Sequence, residues 1–187
     1  IRNDYLDVDA LESAAMAEHF AIEATETALT ARIPLRKTWD DYLATVDGHD
    51  RKELRRKLRN AETKANAKFS CAQSEGEVLE SLDRVFGFMK QAGGAKGIKA
   101  QWTYRPMFRR AAGPLVSSGR MKVYQLHLEG ELAAGLIAFP SAQGPQLWAA
   151  GFDHRFARWS PGVVLFGMAI QQAIVEGAAY FDLLRGE

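Results

Sequence analysis

The stretch from Gln146 to Leu184 restricts the fold more than any other part of the chain. Gln146 to Gly151 is a short apolar run. Asp153 to Trp159 is a polar and aromatic loop. Ser160 suits an N-cap, and Pro161 suits the first helical position, where its missing N–H goes unneeded. Val164, Leu165, Met168 and Ile174, with alanines between them, predict an amphipathic helix, and Gly177 stands where a left-handed C-terminal residue is wanted. Ala178 to Leu184 reads as a buried strand. Strand, crossover helix and strand of this length make a right-handed βαβ unit with the two strands parallel. The backbone N–H groups from Ser160 to Val164 then form a natural anion site.

The rest of the chain reads as support for that unit. Its 187 residues suit one domain, with or without a helical arm, and 47% hydrophobic residues suit an ordinary core. A formal net charge of +1 makes no whole-chain case for DNA or for a membrane surface. Cys71, the one cysteine, forms no internal disulfide, and with four scattered histidines it makes no metal cluster. No apolar run reaches membrane-spanning length, no leader is recognisable, and the cysteine usage predicts a cytoplasmic setting. Because the chain starts at Ile1 and stops after a strand, it is expected to be a segment of a longer protein.

Helices are predicted over roughly 9–20, 38–46, 51–67, 74–92 and 102–118, with Gly113-Pro114 expected to kink or split the last. Asp50 with Glu53 is read as the cap of the third helix. A strand is expected within 21–35 and another at 68–72. Met121 to Leu128 and Leu132 to Phe139 form a hairpin around Glu129-Gly130, and Pro140 to Pro145 reads as a loop. The order of elements predicts an α+β fold whose mostly antiparallel sheet contains one parallel pair. Strands 121–128, 132–139, 146–151 and 178–184 are expected to share that sheet.

One helix departs from the balanced charge. From Arg51 to Lys68 eight basic residues face only Glu53 and Glu62. A solvated face is the plain explanation. The sharper one is a surface for an anionic substrate, with Arg55 and Arg59 on one exposed side; the absence of interleaved aromatic residues weakens an RNA reading.

Chemistry-bearing motifs are few. There is no Walker loop, GxGxxG, GxSxG or HExxH. Asp182 is a carboxylate among apolar residues, read either as a buried partner of Arg185 or of a helix start, or as a general base or amine-positioning group. Tyr124, His127 and Tyr180 are weaker candidates.

Taken in order, Thr38-Trp39-Asp40-Asp41-Tyr42-Leu43, the run Arg51 to Arg59, Gly151-Phe152-Asp153, Ser160-Pro161-Gly162 and Phe181 to Glu187 resemble the GNAT N-acetyltransferase superfamily, and within it the CelD-like branch connected with cellulose biosynthesis. Fem-type aminoacyltransferases are relatives of that branch. The resemblance runs from about Leu35 to Glu187. It implies an acyl-CoA N-acyltransferase fold, with acetyl-CoA or another acyl-CoA in a wedge between the parallel strands. Ala149, Gly151, Arg158, Trp159, Ser160, Gly162 and Val163 would hold that co-substrate. Arg158-Trp159-Ser160-Pro161-Gly162 stands where the family has Arg/Gln-x-x-Gly-x-Gly/Ala. Asp182 would take the amine proton, with Glu187 and Tyr124 behind it, and Arg55, Arg59 and Arg185 would bind the acceptor. The implied acceptor is an amine on a small molecule, glycan or cell-wall precursor. Transfer RNA enters as a partner only under the Fem-like alternative, and a non-catalytic role in polysaccharide assembly is a third. By the same resemblance, residues 36–187 form the acyltransferase domain without its closing strands, and 1–35 bridge from a preceding GNAT-like domain.

Overall fold

In the computed structural model, residues 8–19, 30–93, 97 and 100–184 are described. A six-stranded sheet runs in the order β1-β6-β5-β4-β3-β2, from β1 (Arg32–Pro34), β2 (Lys68–Cys71), β3 (Lys122–Leu128), β4 (Glu131–Ser141), β5 (Gly144–Phe152) and β6 (Tyr180–Asp182). Every neighbouring pair is antiparallel except β5 with β6. The α+β architecture and the single parallel pair are as expected. The helices bounded within the described residues are α1 (Val8–Ala17), α2 (Trp39–Thr45), α3 (Gly48–Ala65), α4 (Glu75–Gln91), α5 (Arg105–Ser117) and α6 (Pro161–Val175).

The two faces of the sheet bury separate clusters. On one face α2, α3 and α6 cover Tyr124, Leu126, Leu128 and Leu136. On the other, α4 and α5 cover Val123 and Ile137. Leu136 and Ile137 are neighbours in β4 that point to opposite faces, as strand geometry requires. Both are buried, and each such side chain contributes about 1.5–3 kcal/mol through removal from water. Helix α4 lies close against the sheet because glycines stand beneath it. A Cβ on Gly135 would fall 2.3 Å from Val85 Cγ2, and one on Gly151 would fall 2.8 Å from the Val85 carbonyl oxygen.

Local chemistry explains the element ends. Glu129 and Gly130 both have positive φ, 55° and 86°, which is the two-residue hairpin turn whose twist matches its strands. Ser74 and Glu77 close a full capping box on α4. Helix α6 ends in a Schellman pair, Ala178 N–H to Ala173 O and Gly177 N–H to Ile174 O, with Gly177 at φ 78°.

Several expectations need correction. Helix α3 starts at Gly48 with Asp47 as its cap, accepting from His49 N–H at 2.8 Å; Asp50 lies inside the first turn. The segment 140–145 is no loop, since β4 and β5 continue into it and only Ala142 and Gln143 turn. Pro114 does not split α5, which runs through it to Ser117. Five residues before α5, Ala100–Tyr104, form a π-type turn instead of its first α-helical residues. The strand expected within 21–35 is seen at Arg32–Pro34, where it becomes the edge strand beside β6; positions 20–29 lie outside the described residues.

Candidate functional site

The parallel pair is joined at one point. Gln146 stands opposite Asp182, and beyond it Leu147 to Phe152 have no strand on that side among the described residues. The two strands thus enclose a wedge that is closed at Gln146 and open toward Phe152. On its other side β5 pairs with β4 through a bulge: Ile137 faces Ala149 and Ala138 faces Leu147, leaving Trp148 as the extra residue. The Trp148 ring turns to the α4 face and packs on Phe108 and Tyr104, with centroids 4.4 and 5.1 Å away.

Past the open end, the chain makes a 3₁₀ turn over His154–Trp159 and enters α6. Asp153 caps that turn, accepting from Arg155 N–H at 2.9 Å and from its guanidinium at 2.8 and 3.0 Å. Those Arg155 bonds, against a smaller opposing effect of burial, hold the Asp153 carboxyl below the usual aspartate range. Ser160 does not cap α6 with its side chain. It sits at φ 53°, left-handed, and its N–H is used on Ala157 O at 2.9 Å. The tight turn feeding the helix demands that reversal, which turns the hydroxyl away from capping geometry. The Val164 N–H donates to Ser160 O at 3.1 Å. Pro161 has no N–H, so the donors at the helix start without a protein acceptor among the described residues are Gly162 and Val163. The Phe152 ring lies beneath them, 3.6 Å from where a Gly162 Cβ would stand.

Ala149, Gly151, Ser160, Gly162 and Val163 therefore gather around the open end of the wedge. Arg158 and Trp159 reach the same end of the sheet, but their side chains are held by the hairpin turn. The Arg158 guanidinium and the Trp159 indole N–H both donate to Glu129 Oε1, at 2.7 and 3.1 Å. These bonds keep the Glu129 carboxyl below the ordinary glutamate range.

Asp182 lies at the closed end and is 2% exposed. Its Oδ2 accepts from Arg32 Nε at 3.1 Å and its Oδ1 from Leu184 N–H at 2.7 Å. Arg32 of β1 is thus a charged partner of the carboxylate; Arg185 and Glu187 lie outside the described residues. Tyr124 is level with Ala150 but two strands away, with β4 between them. It is buried on the α6 face, its hydroxyl has no partner among the described residues, and burial pushes its phenol well above the usual value. Arg55 pairs with Asp40 at 3.2 Å on the exposed side of α3, and Arg59 is exposed on the same helix. Neither reaches the wedge residues by any contact in the structure. His127 pairs with Lys68 across β2 and β3, and Tyr180 is partly exposed on β6.

Two hollows flank the open end, and sequence reasoning named neither. One, of about 410 Å³, lies on the α4 side between Asp83, Arg84, Phe88 and the Asp153–Arg155 turn, with His154 on its wall. The other, of about 270 Å³, lies between α2, α3 and α6, where Val163 and Phe166 meet Tyr42, Leu54 and Lys57. The signal for the first was present in Gly151-Phe152-Asp153-His154, a polar turn directly after an apolar strand. The second is formed by residues far apart in the chain. Among the described residues no group of three metal-ligating side chains is found, and no helix is long and apolar enough to cross a membrane.

Comparison with known proteins agrees with this geometry. A family model described as an acetyltransferase (GNAT) domain matches residues 48–187. Among solved structures, FemX aligns over 100% of this chain and 61% of its own, at 12% identity and a TM-score of 0.63. The C-terminal domain of a putative lysylphosphatidylglycerol synthetase from Agrobacterium fabrum aligns over 84% of this chain and 46% of its own, at 14% identity and a TM-score of 0.56. A protein of unknown function from Bacteroides thetaiotaomicron aligns over 95% of this chain and 65% of its own, at 14% identity and a TM-score of 0.56. At such identities the likeness is one of fold, and the chain spans between about half and two thirds of the length of these proteins. No curated protein sequence matches.

Proposed function

The chain belongs to the GNAT acetyltransferase-domain family, and from that premise we propose that it is an N-acyltransferase carrying an acyl group from acyl-CoA to an amine. The observation that carries the proposal is the wedge: an open strand edge that ends beside the two unengaged N–H groups of Gly162 and Val163. A thioester laid along β5 has strand N–H groups for its carbonyl, and a pyrophosphate at the helix start meets fixed donors and the favourable end of the helix dipole. The amine nitrogen attacks the thioester carbon. The new C–N bond forms, the C–S bond breaks, the sulfur leaves as thiolate, and the proton lost by nitrogen ends on a base or on that sulfur. Proximity and the strand donors supply most of the acceleration. With both Asp182 oxygens engaged, we assign Asp182 to fixing the wedge's closed end, and His154, on the wall of the larger hollow, to taking the proton. The order of motifs supports a place near the CelD-like branch and an acceptor in envelope or polysaccharide chemistry.

A second reading is aminoacyl transfer from charged tRNA, favoured by the fold shared with FemX and by the basic surface of α3. Calorimetric titration of CoA into the full-length protein tests the first. CoA should bind wild type, and Gly162→Val should abolish binding with unchanged unfolding, since the substituted side chain meets little besides the Phe152 ring. Thiol release from acetyl-CoA with amine acceptors then reads the reaction. No CoA binding by wild type, with transfer from charged tRNA, transfers the proposal to the second reading. CoA binding unaffected by Gly162→Val places the co-substrate elsewhere.

A further inference from the structure

We propose that the outer face of α5 and the turn before it form a docking surface for an anionic membrane. The face has two sides of opposite character. Tyr104, Phe108 and Ala112 turn inward, and the first two pack on Trp148. Trp102 and Met107 turn outward and are 78% and 52% exposed. Around Trp102 a shallow depression of about 470 Å³ is lined by Arg105, Pro106, Arg109 and Arg110. From Lys96 to Arg120 the sequence contains no aspartate or glutamate, against six lysines and arginines. Asp83 of α4 pairs with both Arg105 and Arg109, so one carboxylate meets two guanidiniums, and Arg110 has no ion pair among the described residues.

An exposed tryptophan, methionine and proline rimmed by arginines matches the interfacial pattern, in which the apolar side chains enter the headgroup boundary and the cations meet lipid phosphates. Single-stranded nucleic acid has the same charge but needs a row of stacking faces. Here only Trp102 offers one, because Tyr104 and Phe108 are spent inward. The surface lies on the α4 face, across the sheet from basic α3, so the two positive regions do not merge. This inference stands apart from the transferase reading.

The test is sedimentation of the full-length protein with vesicles of phosphatidylcholine, alone or mixed with phosphatidylglycerol. Binding should require the anionic lipid and weaken with salt. A basic residue beside an anionic surface is worth about fivefold in partition, so Arg110→Glu, which removes one charge and adds its opposite, should lower binding by roughly 25-fold. Trp102→Ala should lower it by about tenfold. Both positions are exposed, and unchanged thermal unfolding checks that the variants fold. Absence of binding, equal binding to neutral vesicles, or variants that bind like wild type would each overturn the proposal. So would a single-stranded RNA oligonucleotide that binds, and is lost in the same variants, while vesicles do not. Acrylamide quenching that is the same in wild type and Trp102→Ala, without vesicles, would mean that another part of the protein covers the ring, and would overturn it as well.

Discussion

The two ends of the β5–β6 wedge are made of the same kinds of residue and differ in how they are used. At the closed end a carboxylate, Asp182, is buried, and both its oxygens are engaged by Arg32 and by the Leu184 N–H. At the open end Asp153 is likewise buried and held by Arg155, but the outer groups Glu129, Glu131, Arg155 and Arg158 also form exposed pairs, and the first N–H groups of α6 are unengaged. A buried pair holds geometry, because removing one partner strands the other charge away from water. An exposed pair holds little and is easily exchanged for a ligand. One strand pair therefore combines a fixed end with an adaptable mouth, which suits the acyl-CoA exchange proposed for it.

The largest expected effect tests the fixed end. Asp182→Ala removes the buried carboxylate that accepts from Arg32 and from the Leu184 N–H, and it should destabilise the protein by about 3–5 kcal/mol in chemical denaturation. The double variant Asp182→Ala with Arg32→Met should recover part of that loss, since the Arg32 charge is removed together with its carboxylate. Equal stability of wild type and Asp182→Ala would remove the distinction between the two ends.

A smaller effect is expected midway along β5. Gly151→Ala places a methyl group 2.8 Å from the Val85 carbonyl oxygen and 3.1 Å from Phe88 Cβ, so α4 has to move. The loss should be about 1–3 kcal/mol, present with or without ligand. A variant as stable as wild type that fails to bind CoA would instead make Gly151 part of the mouth.

Much of this arrangement was legible in the sequence, for local reasons. Glu129-Gly130 and Gly177 announce their turns by the backbone conformations they tolerate, and Tyr124, Leu126 and Leu128 mark one buried face of β3. The anion-ready start of α6 was legible through Pro161 and Gly162. What was not legible is long-range. Arg32 meets Asp182 across 150 positions, and nothing near either residue signals the other. Gly151 reads as a cofactor glycine until α4 is seen above it. Ser160 has an N-cap's composition but a left-handed backbone, imposed by the 3₁₀ turn before it. The acid-free stretch from Lys96 to Arg120 was plain in the sequence and was overshadowed by the denser charge of α3.

The smallest expected effect concerns the mouth, and it decides whether Arg158 takes part in binding. Its guanidinium is engaged by Glu129, which also holds the Trp159 indole. If Arg158 leaves Glu129 for a phosphate, the pair competes with the ligand. Glu129→Gln should then raise CoA affinity by a few-fold, since an exposed pair of this kind holds its guanidinium only weakly. Arg158→Ala should lower affinity and cancel the gain in the double variant. The pH dependence follows from the sign of the shift. The Glu129 carboxyl titrates below the ordinary glutamate value, so the pair persists as pH falls through that value and opens only at lower pH. The ratio of the two affinities, Glu129→Gln to wild type, should therefore stay constant from about pH 8 to about pH 5, above the usual glutamate pKa. Unchanged affinity in Glu129→Gln would mean that Arg158 belongs to the hairpin turn, and that the phosphate site consists of the Gly162 and Val163 donors with no charged side chain from the loop.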